Sequence, residues 1–181
     1  MLKTLLPALA LGATLAACQS GGAANNDAPS AGIMPPADEV AYAQLAGADG
    51  TFHGRAVFTD DETGIDIDIA LQNVPAGVHG VHVHETGSCV EPDFSSAGGH
   101  WNPTNVPHPE HKGDLGNVTV AADGTAALRT QVQGVSVADG DIPMLDLDGA
   151  ALIVHSDADD MVSQPSGNAG SRIACAVIAL G

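Results

Sequence analysis

Gly64-Ile65-Asp66-Ile67-Asp68-Ile69-Ala70-Leu71-Gln72 is the stretch that decides the fold. Apolar and polar residues alternate along it, and successive side chains of a strand point to opposite faces. Ile65, Ile67, Ile69 and Leu71 therefore share a face turned to a core, while Asp66 and Asp68 face water. That acidic stripe reads as a solvated sheet face and not as a calcium site. A turn signal, Asp60-Asp61-Glu62-Thr63-Gly64, precedes the run, and Ala48-Asp49-Gly50 and Ala122-Asp123-Gly124 mark further turns.

Working outward, residues 41–46, 53–58, 79–85, 116–121, 125–131, 150–156 and 172–180 read as further short strands. Helical periodicity is absent beyond the N-terminal apolar segment. About eight short strands with Gly-rich turns predict an all-β antiparallel sandwich or barrel. Two long segments interrupt the rhythm, 86–114 and 157–171. Long loops in a compact domain tend to carry function.

The first residues read as a targeting segment. Met1-Leu2-Lys3 is a short basic start, and residues 5–17 are apolar and small, too short to span a bilayer but right for a signal h-region. Leu15-Ala16-Ala17-Cys18 resembles a bacterial lipobox, which implies cleavage before Cys18 and its lipidation. Ordinary secretion with cleavage elsewhere is the alternative. With Gln19 and Ser20 after the cysteine and no Asp there, the outer membrane is the expected destination. Residues 1–17 are thus expected to be a lipoprotein signal peptide. Residues 18–38, rich in Gly, Ala, Asn, Ser and Pro, are expected to form a flexible tether. Residues 39–181 suit one domain with a single core. The expected location is periplasmic, with membrane contact only through the Cys18 lipid.

Formal net charge is -17, with only five Lys and Arg. This argues against nucleic acid, whose phosphates require basic contacts. The plain reading is a soluble, self-repelling surface. With Cys18 assigned to lipid, Cys89 and Cys175 remain, and in an exported chain they read as one disulfide, two free thiols being the alternative. The strand faces reveal no clear apolar patch, so a monomer and a homodimer both stay open.

Six of the eight histidines fall at His82, His84, His100, His108, His111 and His155, and Asp114 follows three residues after one of them. In Gly80-Val81-His82-Val83-His84-Glu85 the two histidines point to one side of a strand and Val81 and Val83 to the other. Neutral imidazole suits copper and zinc, and a carboxylate is a common fourth ligand at zinc. The supply is enough for two ions. His79 lies three before His82, on the other face, and reads as a satisfied core residue. His53 reads as an exposed strand residue, Trp101 as packing, and Asp157 and Asp160 as solvated.

Five segments in order carry a resemblance: Gly77-Val78-His79-Gly80-Val81-His82-Val83-His84-Glu85, Gly98-Gly99-His100-Trp101-Asn102-Pro103, Gly113-Asp114-Leu115-Gly116-Asn117, Val154-His155-Ser156-Asp157-Ala158-Asp159-Asp160, and Gly167-Asn168-Ala169-Gly170-Ser171-Arg172-Ile173-Ala174-Cys175. From about residue 41 to the C-terminus the chain resembles the copper/zinc superoxide dismutases. The resemblance implies an eight-stranded antiparallel Greek-key sandwich or barrel and dismutation of superoxide with copper and zinc as cofactors. It implies copper ligands His82, His84, His100 and His155, with His100 bridging to zinc. It implies zinc ligands His100, His108, His111 and Asp114. Asp159 resembles the carboxylate that orients one histidine of each set, Arg172 the arginine that docks the anion, and Cys89 and Cys175 the family disulfide.

Two bottom-up expectations accompany it. His155 ends a strand beside a loop, and Arg172 and Cys175, separated by an odd offset, are expected on opposite sides of the last strand. Only two residues separate His108 from His111, where the family usually has a longer insertion, so the zinc set is expected to be less securely built than the copper set. The 157–171 loop lacks a Lys/Glu steering pattern, which leaves anion capture to Arg172 and the metal charge. A copper-binding or delivery module on the same scaffold is the rival reading; neither Arg172 nor a bridging His100 is needed for storage.

Overall fold

The computed structural model describes residues 40–181; the expected signal segment and the whole 18–38 tether, Cys18 included, lie outside the described residues. The chain forms strands β1 (Val40–Ala46), β2 (Phe52–Asp60), β3 (Gly64–Leu71), β4 (Gly77–His84), β5 (Asp114–Val120), β6 (Ala126–Gln133), β7 (Ala151–His155), β8 (Arg172–Val177) and β9 (Ala179–Leu180). The only regular helix among the described residues is a single 3-10 turn, Ser95–Ala97.

Strand order is β5-β4-β7-β8-β1-β2-β3-β6, with every strand pair antiparallel. β1, β2 and β3 form a meander. β6 pairs β3 and β7 pairs β4, so the chain crosses over as a Greek key. β5 and β6 sit at the two ends of this order, yet the short turn at 121–125 joins them and they touch. The eight strands thus make a nearly closed antiparallel barrel.

The alternation in β3 has the expected result. Ile65, Ile67, Ile69 and Leu71 are buried in the main core with Leu45, Phe58 and Val83. Asp66 and Asp68 are exposed. β7 is buried at all five positions. Its inner face (Leu152, Val154) joins the barrel core with Val81, Val83, Ala174 and Ala176. Its outer face (Ala151, Ile153) packs with Phe94, Ala97 and Cys175 of a second, smaller cluster under the 86–99 loop. A strand covered on both faces reads as a continuous apolar run, as 150–154 does.

Three expectations are corrected. The single strand read over 172–180 divides in two: β8 pairs β7, whereas β9 pairs Ala41 and Tyr42 of β1, and Ile178 between them turns inward, its N–H donating to Ala150 O. Arg172 and Cys175 do not face opposite sides. Cys175 lies opposite Ile153, and Arg172 lies opposite His155, with a bulge between that makes Ile173 the extra residue. A bulge shifts the parity of the strand by one, so both side chains fall on the outer face. His53 is half-buried rather than exposed, with its ring close against Gly47 and its Nδ1 unpartnered. Tyr42 and Phe52 stay about half exposed along a groove across β1 and β2.

Candidate metal centre

Two strands and one loop deliver the histidines, and a third strand, β5, begins with Asp114. β4 places His82 and His84 on the outer face two residues apart, and β7 ends at His155 beside them. The loop returns alongside β4: Glu85 N–H donates to Gly99 O at 3.0 Å and Trp101 N–H to Val83 O at 2.9 Å, which sets His100 opposite His84 as a one-residue bridge. Gly98, with φ 75°, makes the bend that allows this return, and any side chain there would meet Glu85. Buried Trp101 packs in the barrel core, as expected.

Two sets result. One ligand atom each from His82, His84, His100 and His155 lies within 4.8 Å of the others, and so does one each from His100, His108, His111 and Asp114. His100 is in both. Among the described residues no other group of three or more such side chains converges in this way.

Five of the six imidazoles, all but His111, have one ring nitrogen in a hydrogen bond and one free. His82 Nε2–H donates to Asp159 Oδ2 at 2.8 Å, His84 Nδ1–H to Gly98 O at 3.0 Å, His108 Nε2–H to Asp159 Oδ1 at 3.0 Å, and His155 Nδ1–H to Gly170 O at 3.5 Å. Left buried and without hydrogen-bond partners are His82 Nδ1, His84 Nε2, His100 Nε2, His155 Nε2, His108 Nδ1 and His111 Nδ1. An unpaired buried polar atom is costly. Six of them aimed at two points fit a pair of cations. In the second set Asp114 lies 2.7 Å from His100 Nδ1, 3.0 Å from His108 Nδ1 and 3.2 Å from His111 Nδ1. Ligands about 2.0–2.1 Å from a tetrahedral zinc sit roughly 3.3 Å apart, so this spacing already approximates such a cage. The short His108–His111 spacing has not prevented the second set from forming.

Burial favours the neutral form of His82, His84 and His155. Desolvation, helped by the nearby His100, pushes His82 down to about 4; desolvation lowers His84 to about 2 and His155 to about 3. For Asp114 burial acts upward, but the His100 hydrogen bond and the charges of His100, His108 and His111 outweigh it and keep the carboxyl low. Asp159 behaves likewise: burial raises it, and the Met161 N–H with the His82 and His108 bonds prevails.

Asp159 is itself held. The side-chain amide of Asn117 grips its backbone at both ends, accepting from Asp159 N–H and donating to Asp159 O, each at 2.8 Å. Asp157 and Asp160 are exposed, as expected. His79 is buried, and its two nitrogens lie 2.8 Å from the carbonyls of His155 and Pro75. It is thus a satisfied buried residue, as expected, and it also fastens the backbone of His155. Its place in the 77–85 segment was the available signal.

A cleft of about 480 Å³ opens onto the first set, and His84, His100, His155 and Arg172 line it. Arg172 is half-buried, with Nη1 donating to Phe94 O at 2.5 Å and Nη2 to Gly98 O at 2.6 Å. Burial lowers its pKa, opposed by Asp93; a guanidinium remains charged regardless. Cys89 and Cys175 form a disulfide that ties the 86–99 loop to β8.

Comparison with known proteins agrees with this arrangement. The family profile described as copper/zinc superoxide dismutase matches residues 52–178. The chain is 42% identical over 126 residues to the superoxide dismutase-like protein YojM of Bacillus subtilis, covering 65% of this chain and 64% of that protein's length. It is 37% identical over 147 residues to a Cu-Zn superoxide dismutase of Caulobacter vibrioides, covering 76% of this chain and 84% of the relative. Among solved structures it is similar to a Bacillus subtilis SOD-like protein in a double mutant with a tyrosine and a proline replaced by histidine. The TM-score is 0.71 at 41% identity, covering 77% of this chain and 97% of that one. With the fold, the two converging ligand sets and most of the chain matched, this protein belongs to the copper/zinc superoxide dismutase family.

Proposed function

We infer that this chain dismutates superoxide, 2 O2•− + 2 H+ → O2 + H2O2, with copper and zinc as cofactors. The observation that carries the reading is His100, which contributes to both ligand sets while Arg172 lines the cleft outside the first. His82, His84, His100 and His155 would hold the copper through their free nitrogens, and His100, His108, His111 and Asp114 would hold the zinc. Copper would supply the one-electron couple and zinc a fixed positive charge.

The chain's own residues do the rest. Arg172 is fixed by two carbonyls and presents its charge to an anion entering the cleft. Beyond about 8 Å the acidic surface is screened at physiological salt, so capture rests on this local cation. His100 Nε2 faces the first set; when not ligating, it can hold a proton and deliver it to a peroxide anion in the cleft, with water supplying the second. His100 Nδ1 stays directed toward Asp114. Asp159 keeps the Nε2–H tautomers of His82 and His108, which leaves each Nδ1 lone pair free.

The lipobox reading of residues 15–18 supports a periplasmic enzyme tethered to the outer membrane through Cys18. Metabolic labelling with a fatty acid tests that anchor: the label is expected on the native chain and absent from Cys18→Ala.

Superoxide decay measured against copper content tests the function. Turnover is expected to rise in proportion to copper, up to one ion per chain. A fully copper- and zinc-loaded sample that leaves superoxide decay at the buffer rate would overturn it, and favour copper holding or delivery instead.

A further inference from the structure

We propose that Gln164 is the positioning residue that makes the short zinc segment work, by holding the backbone of His108 from the opposite loop. The proposal rests on the zinc reading of the second ligand set.

His108 lies in the tight stretch 106–114, with only two residues before His111. Such a short segment has little internal structure to fix a ligand. Glu110 N–H donates to Pro107 O and Asp114 N–H to His111 O, which shape its turns, but neither fixes His108. The grip on His108 comes from 56 residues away. Gln164 Oε1 accepts from His108 N–H at 3.0 Å, and Gln164 Nε2 donates to His108 O at 2.6 Å. One carboxamide thus takes both backbone groups of one residue, as a neighbouring strand would.

The same loop holds the ring. Asp159 Oδ1 accepts from His108 Nε2–H. Gly167, at φ +64°, lies directly over that hydrogen bond: a Cβ there would stand 1.9 Å from Asp159 Oδ1 and 2.8 Å from His108 Nε2. Segment 164–167 therefore holds His108 by its backbone and covers the bond that orients its imidazole. His111 and Asp114 have no hydrogen bond to this loop. The expected consequence is selective: losing the Gln164 amide loosens one zinc ligand and leaves the copper ligands on β4 and β7 in place.

Nearby, Asn117 and Asn102 grip the backbones of Asp159 and Val106 through the same pair of bonds. A carboxamide presents a donor and an acceptor side by side at its tip. A side chain of the same length without hydrogen-bonding groups removes the grip while keeping the bulk, so Gln164→Met is the discriminating change.

The test is chelator competition for zinc, together with the ligand-field spectrum of cobalt(II) bound in its place, on the full chain and on Gln164→Met and Gln164→Ala. Residues that orient a metal ligand typically contribute 10–100-fold in affinity. Zinc affinity is expected to fall by at least about 10-fold in both variants, with an altered cobalt spectrum and unchanged copper affinity. Zinc binding within about 2-fold of the native chain, or an equal loss of copper and zinc, would overturn the proposal. Failure of the native chain to bind zinc would overturn instead the zinc reading on which it rests. Should the variants not fold, hydrogen exchange in the native metal-free chain decides: the His108 amide is expected to be protected, and rapid exchange counts against the clamp.

Discussion

His82 and His108 are joined by one carboxylate: Asp159 accepts from His82 Nε2 through Oδ2 and from His108 Nε2 through Oδ1. One residue thereby fixes the tautomer of a histidine in each ligand set. In Asp159→Asn an amide NH2 must face one of the two imidazole N–H groups, donor against donor. Zinc affinity is expected to fall about 10–100-fold, with a smaller loss at copper because His84 and His155 are held by backbone carbonyls instead. Isothermal titration of the metal-free variant with each ion checks this, and equal affinities for native and variant chains would contradict it.

Arg172→Ala is expected to slow superoxide decay about 10-fold or more and to flatten its dependence on ionic strength, with metal content unchanged. Arg172→Lys should fall between, because it keeps the charge but loses the fork that reaches Phe94 O and Gly98 O. Stopped-flow decay at several salt concentrations measures both effects. A variant as fast as the native chain would remove Arg172 from the mechanism.

The legibility of this chain was uneven, and the reasons are local. His82 and His84 could be placed on one face because β4 keeps its alternation there. Arg172 and Cys175 could not, because a bulge adds one residue without any signature in composition and so reverses the parity argument. The split between β8 and β9 is set by which neighbour each half finds, β7 or β1, and Ile-Ala-Cys-Ala-Val-Ile-Ala-Leu says nothing of neighbours. His79 and Gln164 act through backbone carbonyls of residues distant in the chain. Those contacts exist only after folding, so residue type alone does not show them.

Metal-free protein should lose stability as pH falls below about 6.5. His82, His84 and His155 have folded-state values pushed down to about 4, 2 and 3, against an ordinary value of 6.5. Between those limits the unfolded chain binds more protons than the native one, so unfolding free energy decreases with falling pH. Urea midpoints of the metal-free chain are expected to drop steadily from pH 7 to pH 4.5, and bound metal should delay the drop. A flat profile would show that these rings take up protons freely in the fold.

Removing the disulfide acts on stability and on the site together. Cys89 and Cys175 are 86 positions apart, and closing a loop of that length in the unfolded chain gives about 4–5 kcal/mol in the entropy model. The bridge also pins the loop whose Phe94 and Gly98 carbonyls hold Arg172. The Cys89→Ser/Cys175→Ser double variant is therefore expected to unfold at lower urea and, while folded, to turn over more slowly at equal copper content. A variant with native stability and native turnover would show that the loop holds itself.

All of these outcomes depend on two ions sharing the His100 ring. Anomalous diffraction at the copper and zinc edges from crystals of the metal-loaded chain locates them directly. The expected result is copper bonded to His82 Nδ1, His84 Nε2, His100 Nε2 and His155 Nε2, and zinc bonded to His100 Nδ1, His108 Nδ1, His111 Nδ1 and Asp114. Copper and zinc found anywhere else, or a single ion occupying the space between the two sets, would contradict it.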